Sequence, residues 1–270
     1  MLLIFVTYII QYEYLMKAYC ITLKDCNDRQ ITTAEVLKRA NISVEFFIGV
    51  DARVDTHPLL ERFRERTFLL NMGRPGAIGE AGCYASHYLM WEKCVELNEP
   101  IIVFEDDFDI DERMFCHSLE IAKAHINDCG YIRIENTCNH DMFYQVRTYG
   151  DQRLVKYLKI PQCMTGYAIS PKTAKAFIEH SKTFDYPVDV FLRNAWIHKQ
   201  PIFGVCQSGL WGGNKPSVIG NRKRQGKKDY FVATMKIVNK IKNMTLNLAT
   251  NFYHLKLLGS DYKPTKLWKG

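Results

Sequence analysis

Three consecutive acids, Glu105, Asp106 and Asp107, close an apolar run, Ile101-Ile-Val-Phe104. Clustered carboxylates repel one another and cost stability unless something compensates them. Two carboxylates converging on one point suit a hard divalent cation, and such a cation commonly bridges to a substrate phosphate. Alternation along an extended chain puts Glu105 and Asp107 on one side and Asp106 on the other. The plain alternative is a solvated acidic turn. Three further groups could join such chemistry. Asp51 follows a second apolar run, His87 follows a Gly-rich loop, and Asp189 sits at the start of a helical pattern. A helix dipole favours a carboxylate in that first turn, and a general base in a cleft is the functional alternative. For His87 the choice lies between a ligand contact and a satisfied core histidine.

The elements that must carry these residues are legible in outline. The run before Glu105 is rich in β-branched residues, starts at Pro100, and reads as a strand buried on both faces. Ala18–Leu23 and Val44–Ile48 read as strands with a helix, about Arg29 to Ala40, between them. Asp28 is the expected cap of that helix. A strand, a helix and a strand in this order make a parallel βαβ unit, so Asp51 should open on the same sheet edge as Glu105 to Asp107. Ligands of open α/β sheets bind at that edge. Residues 73–80 form a loop with three glycines and no P-loop spacing. The helix after it can present backbone N–H groups to phosphate. Further strands are expected at Tyr131–Glu135, Leu154–Leu158, Thr165–Ser170 and Ile202–Cys206, and helices at 112–124, 171–180 and from Tyr186. The fold class is α/β with a mixed, mostly parallel central sheet.

The chain has 270 residues and a formal charge of +7, but the charge is uneven. Lys215 to Lys242 holds nine Lys or Arg against Asp229 alone, and residues 1–214 carry −4. That speaks against a whole-surface nucleic-acid binder and for a local anionic partner. From Asp229, Phe231, Met235, Val238 and Ile241 recur at helical spacing beside lysines, a pattern that commonly lies on an anionic membrane surface. The other reading is a helix packed on its own core. Nine scattered cysteines without a C-x-x-C pair argue against structural zinc and suit a reducing compartment. Residues 1–16 open with an apolar stretch too short to span a bilayer and without a basic lead. A misassigned upstream start, an added edge strand and a loose tail all fit. The expected division is this extension, a catalytic domain over 17–220 and a basic amphipathic tail over 221–270.

A strand ending in acids beside a Gly-rich loop suits sugar-nucleotide transfer. The growing charge of a departing diphosphate needs a divalent cation, and an acceptor hydroxyl needs a base. Six stretches in series sharpen this: Ala18–Leu23 with Arg29, Phe46–Ala52, Gly79–His87 with Trp91, Val103–Asp107, Thr165–Ser170 and Pro187–Leu192. In them the chain resembles glycosyltransferase family 25, the bacterial lipooligosaccharide glycosyltransferases related to collagen galactosyltransferases. The resemblance implies a GT-A type, Rossmann-like fold. It also implies inverting transfer of galactose or glucose from a UDP-sugar to a lipooligosaccharide acceptor. By that match Glu105 and Asp107 would flank Mn²⁺ or Mg²⁺, and Asp106 would reach the sugar or ribose. Asp51 would lie near the uridine, while Glu80, Ser86 and His87, with Arg29, would line the donor pocket. Asp189 would be the base, with Glu135 as its rival because it too ends a strand on the expected cleft side. Some members carry a His after the last strand, where Gln207 to Asn214 of this chain holds none, so Gln207, Ser208 or Asn214 would complete the metal shell, or water would, or the metal would be held loosely. The enzyme would work in the cytoplasm, peripheral on the inner face of the bacterial inner membrane, its basic tail on anionic lipid. A non-catalytic membrane or nucleic-acid binding module using that tail is the alternative.

Overall fold

A computed structural model describes residues 16–136, 142–213 and 229–258. The extension before Met16, Asn214 and the basic run 221–228 lie outside the described residues.

The chain begins with β1 (Lys17–Thr22), α1 (Asn27–Arg39) and β2 (Glu45–Ile48). A short 3-10 turn leads to α2 (Glu65–Met72) and then to the long helix α3 (Ile78–Leu97). After it come β3 (Ile101–Glu105), β4 (Phe108–Ile110), α4 (Glu112–Cys129) and β5 (Tyr131–Arg133). A hairpin, β6 (Phe143–Tyr149) and β7 (Gln152–Tyr157), precedes β8 (Gly166–Ile169) and α5 (Pro171–His180). The described chain closes with α6 (Val188–Arg193), α7 (Ala195–His198), β9 (Phe203–Cys206), β10 (Leu210–Gly212) and α8 (Tyr230–Leu257).

Eight strands form one sheet in the order β2-β1-β3-β8-β5-β9-β7-β6, and β4 pairs with β10 separately. The βαβ unit is as expected: β1 runs parallel to both β2 and β3. The sheet is mixed but not mostly parallel by pairing. Only β5–β9 adds a third parallel pair, whereas β3–β8, β5–β8, β7–β9 and β6–β7 are antiparallel. A buried strand carries the same apolar run in either sense, so side-chain patterning does not encode strand direction. Asp28 does not cap α1: Cys26 takes the N-cap position and Asp28 lies in the first turn, where a carboxylate still meets the positive helix end.

The run Ile101–Phe104 is buried on both faces, as its composition required. Ile101 and Val103 join a core with Tyr84, Tyr88 and Trp91 of α3 and Phe177 of α5. Ile102 and Phe104 join a second core with Leu37 of α1 and Phe115 and Leu119 of α4. The sheet is thus a middle layer between two helical ones. Each fully buried side chain of this size contributes about 1.5–3 kcal/mol of transfer free energy. This packing fixes where the acids at the end of β3 must point.

Candidate active site

Glu105 keeps the phase of Ile101 and Val103 and faces α3. Its Oε1 lies 3.3 Å from Nε2 of the buried His87. The Tyr167 hydroxyl lies 3.1 Å from the other ring nitrogen. With Nε2–H donating to Glu105, Nδ1 accepts from Tyr167, so one neutral tautomer satisfies both contacts. Asp106 keeps the phase of Ile102 and Phe104 and faces α1. Thr22 Oγ1 donates to its carboxylate at 2.6 Å, and Arg29 Nη1 donates at 2.8 Å. Thr33 Oγ1 holds its backbone carbonyl at 3.1 Å.

Asp107 departs from the alternation. The β1–β3 ladder ends at Ile21 opposite Glu105, so strand phase no longer governs Asp107. Its carboxylate turns to Arg29 at 3.6 Å and shares that guanidinium with Asp106. Glu105 and Asp107 therefore do not share a side in the expected way. Burial opposes the charge of Arg29, but the bond to Asp106 and the fields of Asp106 and Asp107 outweigh it and raise its pKa. Gly213 allows the close fit here, since a Cβ at that position would strike the Asp107 carboxylate.

The N-terminal half of α3 forms the opposite wall. Glu80, Cys83 and His87 recur three and four residues apart, and so fall on one helix face. Glu80 is buried, grips Arg74 through two bonds of 2.7 Å, and accepts the Ala77 N–H at 2.9 Å. That pairing raises the pKa of Arg74, against the effect of its burial. Ser86 is spent internally: it donates to the Gly82 carbonyl and accepts the Val50 N–H, both at 2.8 Å. It thereby ties α3 to the loop that carries Asp51. At Gly82 a Cβ would sit 2.5 Å from the Val50 carbonyl, so helix and loop pack backbone on backbone. Asp51 itself is paired with Arg53, whose hydrogen bonds lower its pKa.

These groups line one cavity of about 470 Å³, within the usual range for small-molecule sites. Arg29, Asp51, Glu80, Ser86, His87, Glu105, Asp106, Asp107 and Asp189 all contribute to its walls. Glu135 does not. It is buried, ion-paired with Arg133, and accepts the Thr165 N–H at 2.7 Å, which anchors the loop before β8. Strand-end position alone had suggested a cleft group; the side chain instead closes a structural bond beneath it. Gln207 and Ser208 also lie off the cavity, and Ser208 donates to Asn136. The lining carries six carboxylates against three guanidiniums, Arg29, Arg53 and Arg74, a formal charge of −3. That surplus fits a divalent cation. Cys83, His87 and Glu105 each offer a donor atom within 4.8 Å of the others.

A family model described as Glycosyltransferase family 25 (LPS biosynthesis protein) matches residues 16–192. The chain belongs to glycosyltransferase family 25. Apart from Gln207, Ser208 and Asn214, the matched stretch holds every residue singled out above as a catalytic, donor or metal group, and it ends within α6, short of β9, β10 and α8. The chain is 24% identical over 169 residues to the lipooligosaccharide biosynthesis protein lic2B of Haemophilus influenzae. That alignment covers 60% of the chain and 62% of the relative. The lipooligosaccharide biosynthesis protein lex-1 of the same species is 30% identical over 120 residues, 38% of the chain and 37% of the relative. A glycosyltransferase 25 family member from Aedes aegypti is 35% identical over 95 residues, 33% of the chain and 16% of the relative. The chain thus spans less than two thirds of each of these relatives.

Three residues of this family 25 site escaped the sequence reading as site groups. Cys83 carried a signal, its four-residue spacing from His87 on a helix. Arg74 lies only six residues from Glu80, but in a loop whose path the sequence does not give. Thr22 meets Asp106 across 84 positions and had no local signal at all.

Proposed function

We propose that the chain is an inverting, GT-A type glycosyltransferase moving galactose or glucose from a UDP-sugar to a hydroxyl of a lipooligosaccharide core. The observation that carries this is the surplus of carboxylates in the cleft. A nucleotide diphosphate adds negative charge to walls already at −3, and only a cation makes that favourable. Mn²⁺ or Mg²⁺, held by Glu105 and Asp107, would supply charge neutralisation for the departing UDP. His87 orients Glu105, and Arg29 keeps Asp106 fixed beneath the pair. Asp106 therefore acts by positioning its neighbours, since its oxygens are already taken by Thr22 and Arg29. Asp51 and the α3 face bearing Glu80 lie where the donor would be held. Asp189 stands at the N-terminal turn of α6, and its Oδ1 accepts the Val190 N–H at 2.8 Å. It takes the acceptor proton as general base. Glu135 is not assigned that role. The enzyme works in the cytoplasm at the inner face of the bacterial inner membrane, where a lipid-linked acceptor is built.

Calorimetric titration with UDP, with and without Mn²⁺, tests the reading. Binding should need the metal and should vanish in Asp107→Ala, together with hydrolysis or transfer from UDP-hexose. Full activity with unchanged metal dependence in Asp107→Ala would refute the site.

A further inference from the structure

Helix α8 lies on the body with its polar side inward. Asn239, Asn243, Asn247 and Asn251 recur every four residues and all bond to the body. Asn239 donates to the Leu70 carbonyl and Asn243 to the Tyr186 hydroxyl. Trp196 Nε1 donates to Asn243, and Asn247 donates to Asn194. Asn251 donates to the Leu158 carbonyl and accepts from the buried Lys156. His254 reaches the Lys199 carbonyl at 3.0 Å. A helix on a soluble body ordinarily turns its apolar stripe to the core and its polar residues to water. Here the order is reversed.

The outward side is apolar. Ile237, Val238, Ile241, Met244, Leu248 and Phe252 are all exposed, with Leu248 at 70% and Phe252 at 74%. They follow one another along about 23 Å of helix, at about 1.5 Å per residue. A contiguous apolar stripe of this length marks a surface that something covers. The charges around it say what. From Tyr230 to Leu257 the helix holds no acid. At 100° per residue, Lys240 and Lys242 fall on opposite borders of the stripe, and Lys256 lies near its C-terminal end. Apolar side chains in the middle, with amines along the rims, is the pattern of a helix lying in the plane of an anionic bilayer. Among the described residues no helix is long and apolar enough to cross a membrane.

We infer that the outer face of α8 is a docking surface for an anionic lipid bilayer, with its apolar stripe inserted among the acyl chains and Lys240 and Lys242 at the headgroups. The asparagine ladder is what holds the helix to the body while leaving its apolar side outward. The inference rests on the reading above only in choosing lipid as partner; the helix face is a separate observation. Membrane contact then runs through a folded helix docked on the enzyme, not simply through a basic tail.

Sedimentation of the full chain with vesicles tests this. The protein should bind vesicles of equal parts phosphatidylcholine and phosphatidylglycerol, and bind phosphatidylcholine alone far more weakly. Leu248→Glu and Ile241→Glu lie on the exposed side, so their melting temperatures should match wild type while vesicle binding is lost. Lys240→Ala with Lys242→Ala should lower partitioning about thirtyfold, from the usual contribution of a lysine near an anionic surface. A wild-type chain that stays in solution with anionic vesicles overturns the inference. So does a wild-type dimer, by light scattering, that Leu248→Glu makes monomeric, since a second copy would then cover the stripe. UDP titration separates the two readings: a wild-type chain that binds anionic vesicles but not UDP sinks the transferase proposal alone, while Leu248→Glu should leave vesicles and still bind UDP as wild type does.

Discussion

Arg29→Met removes the one guanidinium that Asp106 and Asp107 share. In the wild type it lies 2.8 Å from Asp106 and 3.6 Å from Asp107. At an effective dielectric of about 20, each attraction is of order 5 kcal/mol before desolvation is subtracted. The side chains of Arg29 and Asp106 are only 13% and 10% exposed, so water cannot take over as partner. Deleting one member of a pair buried to this degree costs about 3–5 kcal/mol. The remaining exposure and the Thr22 bond place the expected loss near the lower end, about 3 kcal/mol. For a chain of this size that is a fall in melting temperature of about 6–12 °C. Arg29→Lys keeps the charge but not the forked geometry and should fall between the two. The proposed metal site adds a second readout. With Arg29 gone, Asp107 is left without its counter-charge, so Mn²⁺ should raise the melting temperature of Arg29→Met more than that of the wild type. Differential scanning calorimetry with and without Mn²⁺ measures both effects. An unchanged melting temperature in Arg29→Met would show that the acids need no cation. A smaller Mn²⁺ shift in the variant than in wild type would refute the placing of a metal beside Asp107.

Two further outcomes follow from the packing. His198 is fully enclosed against Phe177 and Phe191, and burial pushes its pKa down to about 3. The unfolded chain takes up a proton near pH 6.5 and the folded one does not, so stability should be lost as pH falls from 6.5 towards 3. At about 1.4 kcal/mol per pH unit this single group costs roughly 4 kcal/mol near pH 3.5. Urea unfolding across that range should show the slope, and His198→Leu should flatten it. At Gly82, a Cβ would press on the Val50 carbonyl at 2.5 Å and the Ala52 nitrogen at 3.1 Å. Gly82→Ala should cost about 1–3 kcal/mol by overpacking and push the loop bearing Asp51 away from α3. UDP titration should show weakened binding even at temperatures where circular dichroism finds the variant fully folded.

What the sequence showed clearly was phase. An apolar run of four residues with no polar gap had to be buried on both sides, and the two cores that meet on β3 follow from it. Because the phase runs on to the last ladder residue, Glu105 falls to α3 and Asp106 to α1, on opposite sides as alternation requires. One residue further the ladder has ended, and Asp107 obeys the nearest guanidinium instead. Strand direction was not legible, since a buried strand reads alike in either sense, and so the antiparallel β8 was missed as such. Glu135 shows the same limit at a single position. It was expected to end a strand, but β5 stops at Arg133 and Glu135 lies two residues past it, where Arg133 and the Thr165 N–H decide where its charge goes. In α8 the apolar recurrence beside lysines was legible, whereas the asparagine contacts that turn the other side inward were not.

The pattern of pairing within the cleft carries the mechanism a step further. Arg53 is held by Asp51, Arg74 by Glu80 and Arg29 by Asp106, so each guanidinium in the lining is already matched with an acid. Glu105 is different, because its partner in the cleft is the His87 imidazole, 3.3 Å away, and not a guanidinium. A divalent cation entering this cleft would meet in Glu105 a carboxylate that these three ion pairs do not engage. Asp107 is the next nearest in chain position and the one more loosely held, at 3.6 Å from Arg29 against 2.8 Å for Asp106. Under the proposed function, these two acids, Glu105 and Asp107, are the pair expected to meet the metal. If Asp107 is drawn from Arg29 by the metal, the guanidinium keeps Asp106 and stays in place, which is why Arg29→Met separates stability from metal response.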